Sequence, residues 1–241
     1  MNKTKRLTAL AMLISMGFLV GATLRLRYIF AAAPFLTYDP KDVVILIGGF
    51  MFGPIAALTM SIVLALLEMA TVSVSGFIGA LMNAISSASL TVPAALIYSK
   101  KRNLQGAVLG LIVGCVTVTI SMTLWNYLII PLYVPNVDRA AAAALLLPAI
   151  VPFNLIKAAL NAAIALLLYK KVSAALRASG LYKEAFENTT EADTAETPEK
   201  IKSSRRFNIA ISAVAVVIAI ALIVTLFVIR AGYSPTPIPR S

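Results

Sequence analysis

The sequence contains no histidine and a single cysteine, and only 13% of its 241 residues carry a charge. Without histidine the chain has no imidazole general base and no histidine metal ligand. Cys115 lies inside an apolar run and has no second thiol for a disulfide or a redox pair. The sequence also lacks a Gly-x-x-x-x-Gly-Lys-Ser/Thr loop and a Gly-x-Ser-x-Gly element. We therefore expect no metal site, no cofactor, no ATP hydrolysis by this chain and no enzymatic chemistry.

Apolar residues dominate what is present, at 60% of the chain with a mean hydropathy of +0.90. A soluble domain of this length does not bury so much apolar surface, so the composition predicts an all-α membrane protein of several spans. The net charge of +11 could indicate a nucleic-acid partner. Because the basic residues flank the apolar runs, however, the positive-inside rule explains them, and we expect no nucleic-acid binding.

The first apolar run, residues 7–24, follows the basic residues Lys3, Lys5 and Arg6. A cleaved signal peptide is the alternative interpretation of this segment. Because further spans follow and the run is long, we predict a retained helix with its N-terminus in the cytoplasm. Ala11 and Ser15, four residues apart on this helix, form a small-residue face suited to close contact with another helix, either within the protein or in a partner.

The run at residues 42–70 is too long for one untilted span and short for two. Two spans broken at Gly53 and Pro54 place the basic clusters at 100–102 and 205–206 in the cytoplasm, and proline breaks a helix. Further spans are predicted at about 77–99, 104–130 and 146–169. The whole chain then divides into a six-helix unit at 1–178, a polar cytoplasmic linker at 179–206, an additional transmembrane helix at 207–230 and an outer tail at 231–241.

Strongly polar side chains occur inside the last two spans of the six-helix unit. Asn154, Lys157 and Asn161 are spaced so that they share one helical face. A lysine near the bilayer centre costs about 2.5–3.5 kcal/mol on insertion scales, so this face should line a cavity or meet another helix. Asn126, in the preceding span, offers an amide donor and acceptor that suit a heterocycle. These residues predict a ligand site in the outer half of the membrane, with polar contact between helices as the alternative.

Glu68 lies near the outer end of the third predicted span. It avoids the cost of burial if it faces Lys157 or a water-filled cavity. Glu68 could also carry protons in an autonomous proton-coupled carrier. One carboxylate without histidine makes a poor proton relay, so this remains an alternative.

Two further segments are candidates for the walls of the site. Asn83 follows Gly76 and Gly79 on one helical face, where glycines permit close approach either of a flat ligand or of another helix. The first outer loop mixes aromatic, proline and acidic residues, which could form a lid over a pocket or an interfacial aromatic belt. Its candidate binding residues are Leu36, Thr37, Tyr38 and Asp39.

Several of these motifs resemble the riboflavin-binding S-components of energy-coupling factor (ECF) transporters, over about residues 5–172. The resemblance rests on the acidic and basic run at 39–42, the glycine-rich segment at 47–54, Met82-Asn83, Asn126-Tyr127 with Pro131-Leu132-Tyr133, and Pro152-Phe153-Asn154-Leu155-Ile156-Lys157. The Pro-Phe-Asn-x-x-Lys and Asn-Tyr elements are characteristic of the riboflavin branch. Phe-Gly-Pro is shared more widely among vitamin S-components.

The resemblance implies a six-helix S-component bundle in the bacterial cell membrane that binds riboflavin from outside, beneath the first outer loop. It implies that Asn126, Asn154 and Lys157 contact the flavin, and that the region of Gly76 and Gly79 completes the pocket. It also implies a separate transmembrane coupling protein and two ATPases as partners. Family members dock the coupling protein through an Ala-x-x-x-Ala face, where this chain has Ala11-x-x-x-Ser15. An S-component for another vitamin is the alternative within the class.

Overall fold

The computed structural model describes residues 3–25, 36–71, 76–133 and 137–178. These residues are helical apart from short connections. The helices are α1 (Lys3–Thr23), α2 (Lys41–Phe52), α3 (Pro54–Thr71), α4 (Gly76–Lys100), α5 (Leu104–Tyr133), α6 (Arg139–Leu145) and α7 (Val151–Ala178), with one π-helical turn at Leu146–Ile150 that joins α6 to α7. The predicted linker, additional helix and outer tail at 179–241 lie outside the described residues.

Five helical segments are long and apolar enough to cross a membrane: Lys3–Thr23, Pro54–Thr71, Gly76–Lys100, Leu104–Leu132 and Arg139–Tyr169. The surface of the bundle is suited to contact with lipid, because large apolar side chains such as Ile55 and Ile120 are 75% and 65% exposed. Such exposure is unfavourable in water but neutral against acyl chains. The described part of the chain is therefore a multi-pass membrane protein, as the composition predicts.

The predicted break at Gly53 and Pro54 is confirmed. Gly53 adopts a φ of 92°, which favours glycine, and its N–H donates to the carbonyl of Gly49 at 2.8 Å. Pro54 then starts α3, where its missing N–H leaves no intrahelical bond unmade. The two resulting segments are unequal, however. With 12 residues, α2 is about 18 Å long and is too short to cross the bilayer alone, whereas the sequence prediction counted it as a span.

Helix α2 lies at the centre of the bundle. All of its residues are buried, and it packs against α1, α3, α4 and α7. Its apolar residues, including Ile45, Leu46 and Ile47, form part of the main hydrophobic core. Because α2 is enclosed from its first residue onward, the charged residues at its start must find their partners within the protein rather than in water.

Helices α4 and α5 pack backbone to backbone. A Cβ added at Gly110 would lie 2.6 Å from the carbonyl oxygen of Ala94, and one added at Gly114 would lie 2.3 Å from that of Leu90. Both distances are shorter than a van der Waals contact, so only glycine permits this separation of the helices. The pair forms a small-xxx-small interface of the kind that membrane helices use, and the sequence analysis did not identify it.

Candidate functional site

Six charged side chains form a buried group where α1 ends, α2 begins, α3 ends and α7 passes. We call this group the charged cluster, and it comprises Arg25, Asp39, Lys41, Asp42, Glu68 and Lys157. Five of them are at least nine-tenths buried, and the Arg25 side chain is 13% exposed. Burial of so many charges is tolerated because each has a partner of opposite sign.

Lys41 is the most tightly held member of the cluster. Its Nζ donates to Asp39 Oδ2 at 2.5 Å and to Glu68 Oε2 at 2.8 Å. Its backbone N–H donates to Asp39 Oδ1 at 3.1 Å. The side chain is 1% exposed, so a single ammonium group joins the connection before α2 to the end of α3 without access to water.

Glu68 also contacts α1 and α4. Arg25 Nη2 lies 3.0 Å from Glu68 Oε2, and Asn83 Nδ2 donates to the same oxygen at 3.1 Å. Glu68 Oε1 is buried and has no hydrogen-bond partner among the described residues. Of the two arrangements predicted for Glu68, an ion pair with Lys157 is not formed, since Lys41 and Arg25 neutralise the carboxylate instead.

Lys157 pairs more loosely, with a different carboxylate. Its Nζ lies 3.6 Å from Asp42 Oδ2, which is beyond hydrogen-bonding distance. Asp42 is held by other donors: Ser87 Oγ donates to its Oδ1 at 2.5 Å, and Asn161 Nδ2 lies 3.4 Å from its Oδ2. The charge of Lys157 is therefore balanced while its N–H groups are not bonded to Asp42.

Asn161 and Tyr38 connect the part of the cluster around Lys41 with the Asp42–Lys157 pair. Tyr38 donates its phenol O–H to Asn161 Oδ1 at 2.9 Å, and Asn161 Nδ2 also donates to the carbonyl of Asp39 at 3.3 Å. Burial raises the pKa of Tyr38, and together with the nearby Asp42 and Asp39 carboxylates it brings the value to about 12. The phenol therefore stays protonated and can act as the donor at any physiological pH.

Asn126 of α5 and Asn154 of α7 are both buried. Ile130 and Ile150, each four residues from one of these asparagines, belong to one buried cluster. Asn126 Nδ2 donates to its own helix at Met122, and Asn154 Nδ2 donates to Ile150. Asn126 Oδ1 is buried with no hydrogen-bond partner among the described residues.

The π-helical turn precedes this polar face of α7 directly. Pro152 has no N–H. The carbonyl of residue 148, four residues earlier, therefore receives no hydrogen bond from residue 152. The irregular turn at Leu146–Ile150 occurs at this point, and the amide of Asn154 bonds back to its last residue. Single π turns of this kind are frequent at functional sites, because they reorient the side chains that follow them.

The remaining predicted site residues occupy different environments. Leu36 is buried and Thr37 is half-buried, next to Tyr38 in the connection before α2. Gly76 starts α4 in an exposed position with a φ of 57°, and an added Cβ would meet no described atom within 4 Å. Gly79 is half-buried one turn later. The structure therefore brings Asn83 into contact with the charged cluster and leaves Gly76 outside it.

Ala11 and Ser15 lie on the exposed face of α1. Ser15 Oγ donates to the carbonyl of Ala11 at 2.9 Å, so the hydroxyl is satisfied within the helix. The opposite face, with Ala9, Leu13, Gly17 and Gly21, packs into the bundle. The predicted small-residue face is thus exposed among the described residues.

The sequence analysis missed Lys41, Asp42 and Arg25 as members of the site. It used positions 39–42 only as part of the resemblance and treated Asp42 as the first residue of the apolar run at 42–70. A signal was present, because three charged residues at positions 39, 41 and 42 directly precede an uninterrupted apolar run. Charges so close to a buried helix require partners within the protein. Glu68 was the candidate partner for Lys41, and Lys157 was the candidate partner for the two aspartates.

Comparisons with known proteins agree with this geometry. Residues 5–169 match the family described as "ECF transporter, substrate-specific component". The chain is 31% identical to the riboflavin transporter RibU of Staphylococcus aureus (strain TCH60) over 178 residues, 72% of this chain and 93% of that protein. It is 29% identical to the riboflavin transporter FmnP of Bacillus subtilis (strain 168) over 164 residues, 64% and 85% of the two chains.

A solved structure, described as the S component of a bacterial ECF transporter, also superimposes on the chain. The TM-score is 0.62 at 30% identity, over 73% of this chain and 99% of that one. Members of this family are transport proteins rather than enzymes. The chain therefore belongs to the ECF transporter family as a substrate-specific component.

Proposed function

We propose that this protein is the riboflavin-binding subunit of an ATP-driven vitamin importer. The observation that carries the proposal is the buried acceptor Asn126 Oδ1, which has no hydrogen-bond partner among the described residues. A second group is Lys157, whose N–H groups are not bonded to Asp42. Unsatisfied buried polar groups are costly, and a bound ligand would satisfy them.

Riboflavin fits the chemistry of these groups. The pyrimidine edge of its ring system offers an N–H donor between two carbonyl acceptors, which matches an amide oxygen and an ammonium group. The molecule is uncharged and partly aromatic, so it can leave water for a pocket between membrane helices without a counter-charge. Two curated relatives are riboflavin transporters, which supports this choice among vitamins. Riboflavin would be the transported cargo and not a cofactor.

The proposal includes an orientation and partners. With the N-terminus in the cytoplasm, the charged cluster and the first outer connection face the outside, where they would receive riboflavin. The chain has no nucleotide-binding loop, so the energy would come from two ATPases joined through a transmembrane coupling protein. The exposed face with Ala11 and Ser15 is the surface we assign to that coupling protein.

Fluorescence titration of the purified protein tests the ligand directly. Riboflavin fluorescence should be quenched on binding, and Asn126→Ala should weaken binding by about 1–3 kcal/mol because a buried hydrogen bond is lost. Thr59→Ala is the matched control, since the exposed Thr59 hydroxyl bonds only to its own helix at Ile55 among the described contacts. A wild-type protein that does not bind riboflavin would refute the assignment, and competition by another vitamin would identify the alternative S-component.

Reconstituted vesicles separate this function from an autonomous proton-coupled carrier. Vesicles that contain this chain alone should bind riboflavin without accumulating it, and uptake should appear only with the coupling protein and ATPases. Accumulation by the chain alone, abolished when the proton gradient is collapsed and by Glu68→Gln, would favour the carrier. The ion pairs of Glu68 with Lys41 and Arg25 argue for a structural role of this carboxylate.

A further inference from the structure

We propose that the acidic part of the predicted linker binds the end of the helical bundle that lies opposite the charged cluster. We call residues 184–199 the acidic segment. It contains no basic residue, and it holds more than half of the chain's 10 acidic residues: Glu184, Glu187, Glu191, Asp193, Glu196 and Glu199. The contact would form whichever vitamin the bundle carries, so it is independent of the proposed cargo.

Contacts among four helices define this end of the bundle, which we call the basic end. The Phe50 ring near the end of α2 lies 4.7 Å from the Tyr98 ring of α4 and 5.9 Å from the Tyr169 ring of α7, centroid to centroid. The phenol groups of Tyr98 and Tyr169 share a hydrogen bond of 2.8 Å. Arg6 Nη2, at the start of α1, donates to the carbonyl of Phe52 at 3.1 Å. The start of α1 and the ends of α2 and α4 therefore meet beside α7, one length of α2, about 18 Å, from the charged cluster.

The exposed charges of the basic end are all positive among the described residues. Only four described residues are acidic. Asp39, Asp42 and Glu68 belong to the charged cluster, and Asp138 caps α6 beyond the far end of α5. The described part of the chain therefore supplies no carboxylate to the basic end, where it exposes seven cationic side chains: Lys3, Lys5, Arg6, Lys100, Lys101, Arg102 and Lys171.

The connectivity of the chain brings the acidic segment to the basic end. Helix α7 ends at Ala178, between two and three turns beyond Tyr169, which adds about 13 Å of helix. Glu184 follows within about 20 Å of extended chain. A segment tethered this closely has an effective concentration on the order of millimolar at the basic end. Exposed ion pairs that are weak one by one can therefore act together to hold it.

Anionic lipid headgroups are the alternative counter-charge for these cations. With the N-terminus in the cytoplasm, as proposed above, the basic end faces the cytoplasmic leaflet, whose surface is negative and attracts lysine and arginine. The same surface repels the carboxylates of the acidic segment, which are drawn instead to the cations of the bundle. The segment is also covalently attached and carries nearly as many charges as the basic end exposes. These features favour the chain's own segment over lipid.

Cross-linking between two introduced cysteines tests the contact in the full-length protein, because Cys115 is the chain's single cysteine and is buried. Gln105→Cys, at the exposed start of α5, and Thr190→Cys, in the acidic segment, form the reporter pair. A short bismaleimide should join them within one chain. Replacing the six carboxylates by their amides should slow this reaction about threefold to tenfold. About 1 M salt should slow the unmodified segment similarly, because the Debye length falls to about 3 Å.

Two controls show whether the contact is specific to the basic end. Ala140→Cys, exposed on α6 beyond the far end of α5, replaces the Gln105 reporter and should not react with Thr190→Cys within one chain. The triple variant Lys100→Gln/Lys101→Gln/Arg102→Gln should slow the original reaction as neutralisation of the segment does. Because both changes remove the same ion pairs, their combination should slow it little more than either alone.

Three results would overturn the proposal. An amide-substituted segment that cross-links as fast as the original would show that its carboxylates do not hold it. No effect of the triple variant would show that the segment pairs elsewhere, for example with basic residues that flank it such as Lys183 and Lys200. The original and amide-substituted segments should differ in nanodiscs of zwitterionic and of anionic lipid alike. A difference confined to zwitterionic lipid would identify headgroups as the partner of the basic end instead.

Discussion

The two buried lysines of the charged cluster have opposite surroundings. Lys41 donates to Asp39 at 2.5 Å and to Glu68 at 2.8 Å, and its side chain is 1% exposed. Lys157 has one carboxylate, Asp42, at 3.6 Å and is 9% exposed. One ammonium group is enclosed and bonded to two carboxylates, whereas the other has no hydrogen bond to its counter-ion.

This difference distinguishes a lysine that stabilises the bundle from a lysine that can donate to a ligand. A lysine that is enclosed and bonded to two carboxylates is not accessible to a ligand, and its loss leaves two buried negative charges without their shared cation. A lysine beyond hydrogen-bonding distance of its counter-ion can donate to a ligand at little cost. We therefore propose that Lys41 supports the stability of the bundle and that Lys157 contacts the cargo.

The largest expected effect on stability comes from replacing Lys41, the lysine bonded to two carboxylates. Lys41→Met should destabilise the protein by about 3–5 kcal/mol, because breaking a buried pair leaves Asp39 and Glu68 without their shared cation. Thermal unfolding in detergent measures the change, with the exposed Lys100→Met as control. A melting temperature equal to that of the control would show that Lys41 does not support the cluster.

The matching change at Lys157 should act on binding more than on folding. Lys157→Met should weaken riboflavin binding by about 1.5–3 kcal/mol, since a charged hydrogen-bond donor is lost. It should reduce stability less than Lys41→Met, because Ser87 and Asn161 still hold Asp42. Parallel titration and thermal unfolding test both expectations, and the reverse order of stability losses would invalidate the comparison.

Asn154→Ala should give a somewhat smaller loss of affinity. We expect about 1–2 kcal/mol, as for removal of a neutral buried hydrogen-bonding group. The side chain bonds within α7 to Ile150, so the helix itself should remain intact. If both Asn154→Ala and Lys157→Met bound riboflavin as tightly as the wild type, the pocket would lie elsewhere in the bundle.

Tyr38→Phe should have the smallest effect, because it removes one hydrogen bond between the two parts of the cluster. The phenol O–H donates to Asn161 at 2.9 Å, and its loss should cost about 0.5–1.5 kcal/mol of stability. Since the pKa of Tyr38 is raised to about 12, the wild-type contribution should be constant between pH 6 and 9. A pH-dependent difference between the two proteins in that range would contradict this assignment.

Part of the site was predictable from the sequence because it depends on local rules. The spacing of Asn154, Lys157 and Asn161 places them on one face of any helix, and the structure confirms that all three are buried. Their partners were not predictable. Glu68 was expected opposite Lys157 or a cavity, but it is neutralised by Lys41 and Arg25, because α2 brings its charged start to the end of α3.

By itself the sequence determined that this is a multi-pass membrane protein, that a helix breaks at Gly53 and Pro54, and that α7 has a polar face. These follow from hydropathy, backbone chemistry and helical periodicity, which act over short stretches of chain. Only the tertiary structure decided that α2 is enclosed and which carboxylate neutralises each lysine. Ion pairing between distant residues depends on helix packing, and one-dimensional patterns do not contain that geometry.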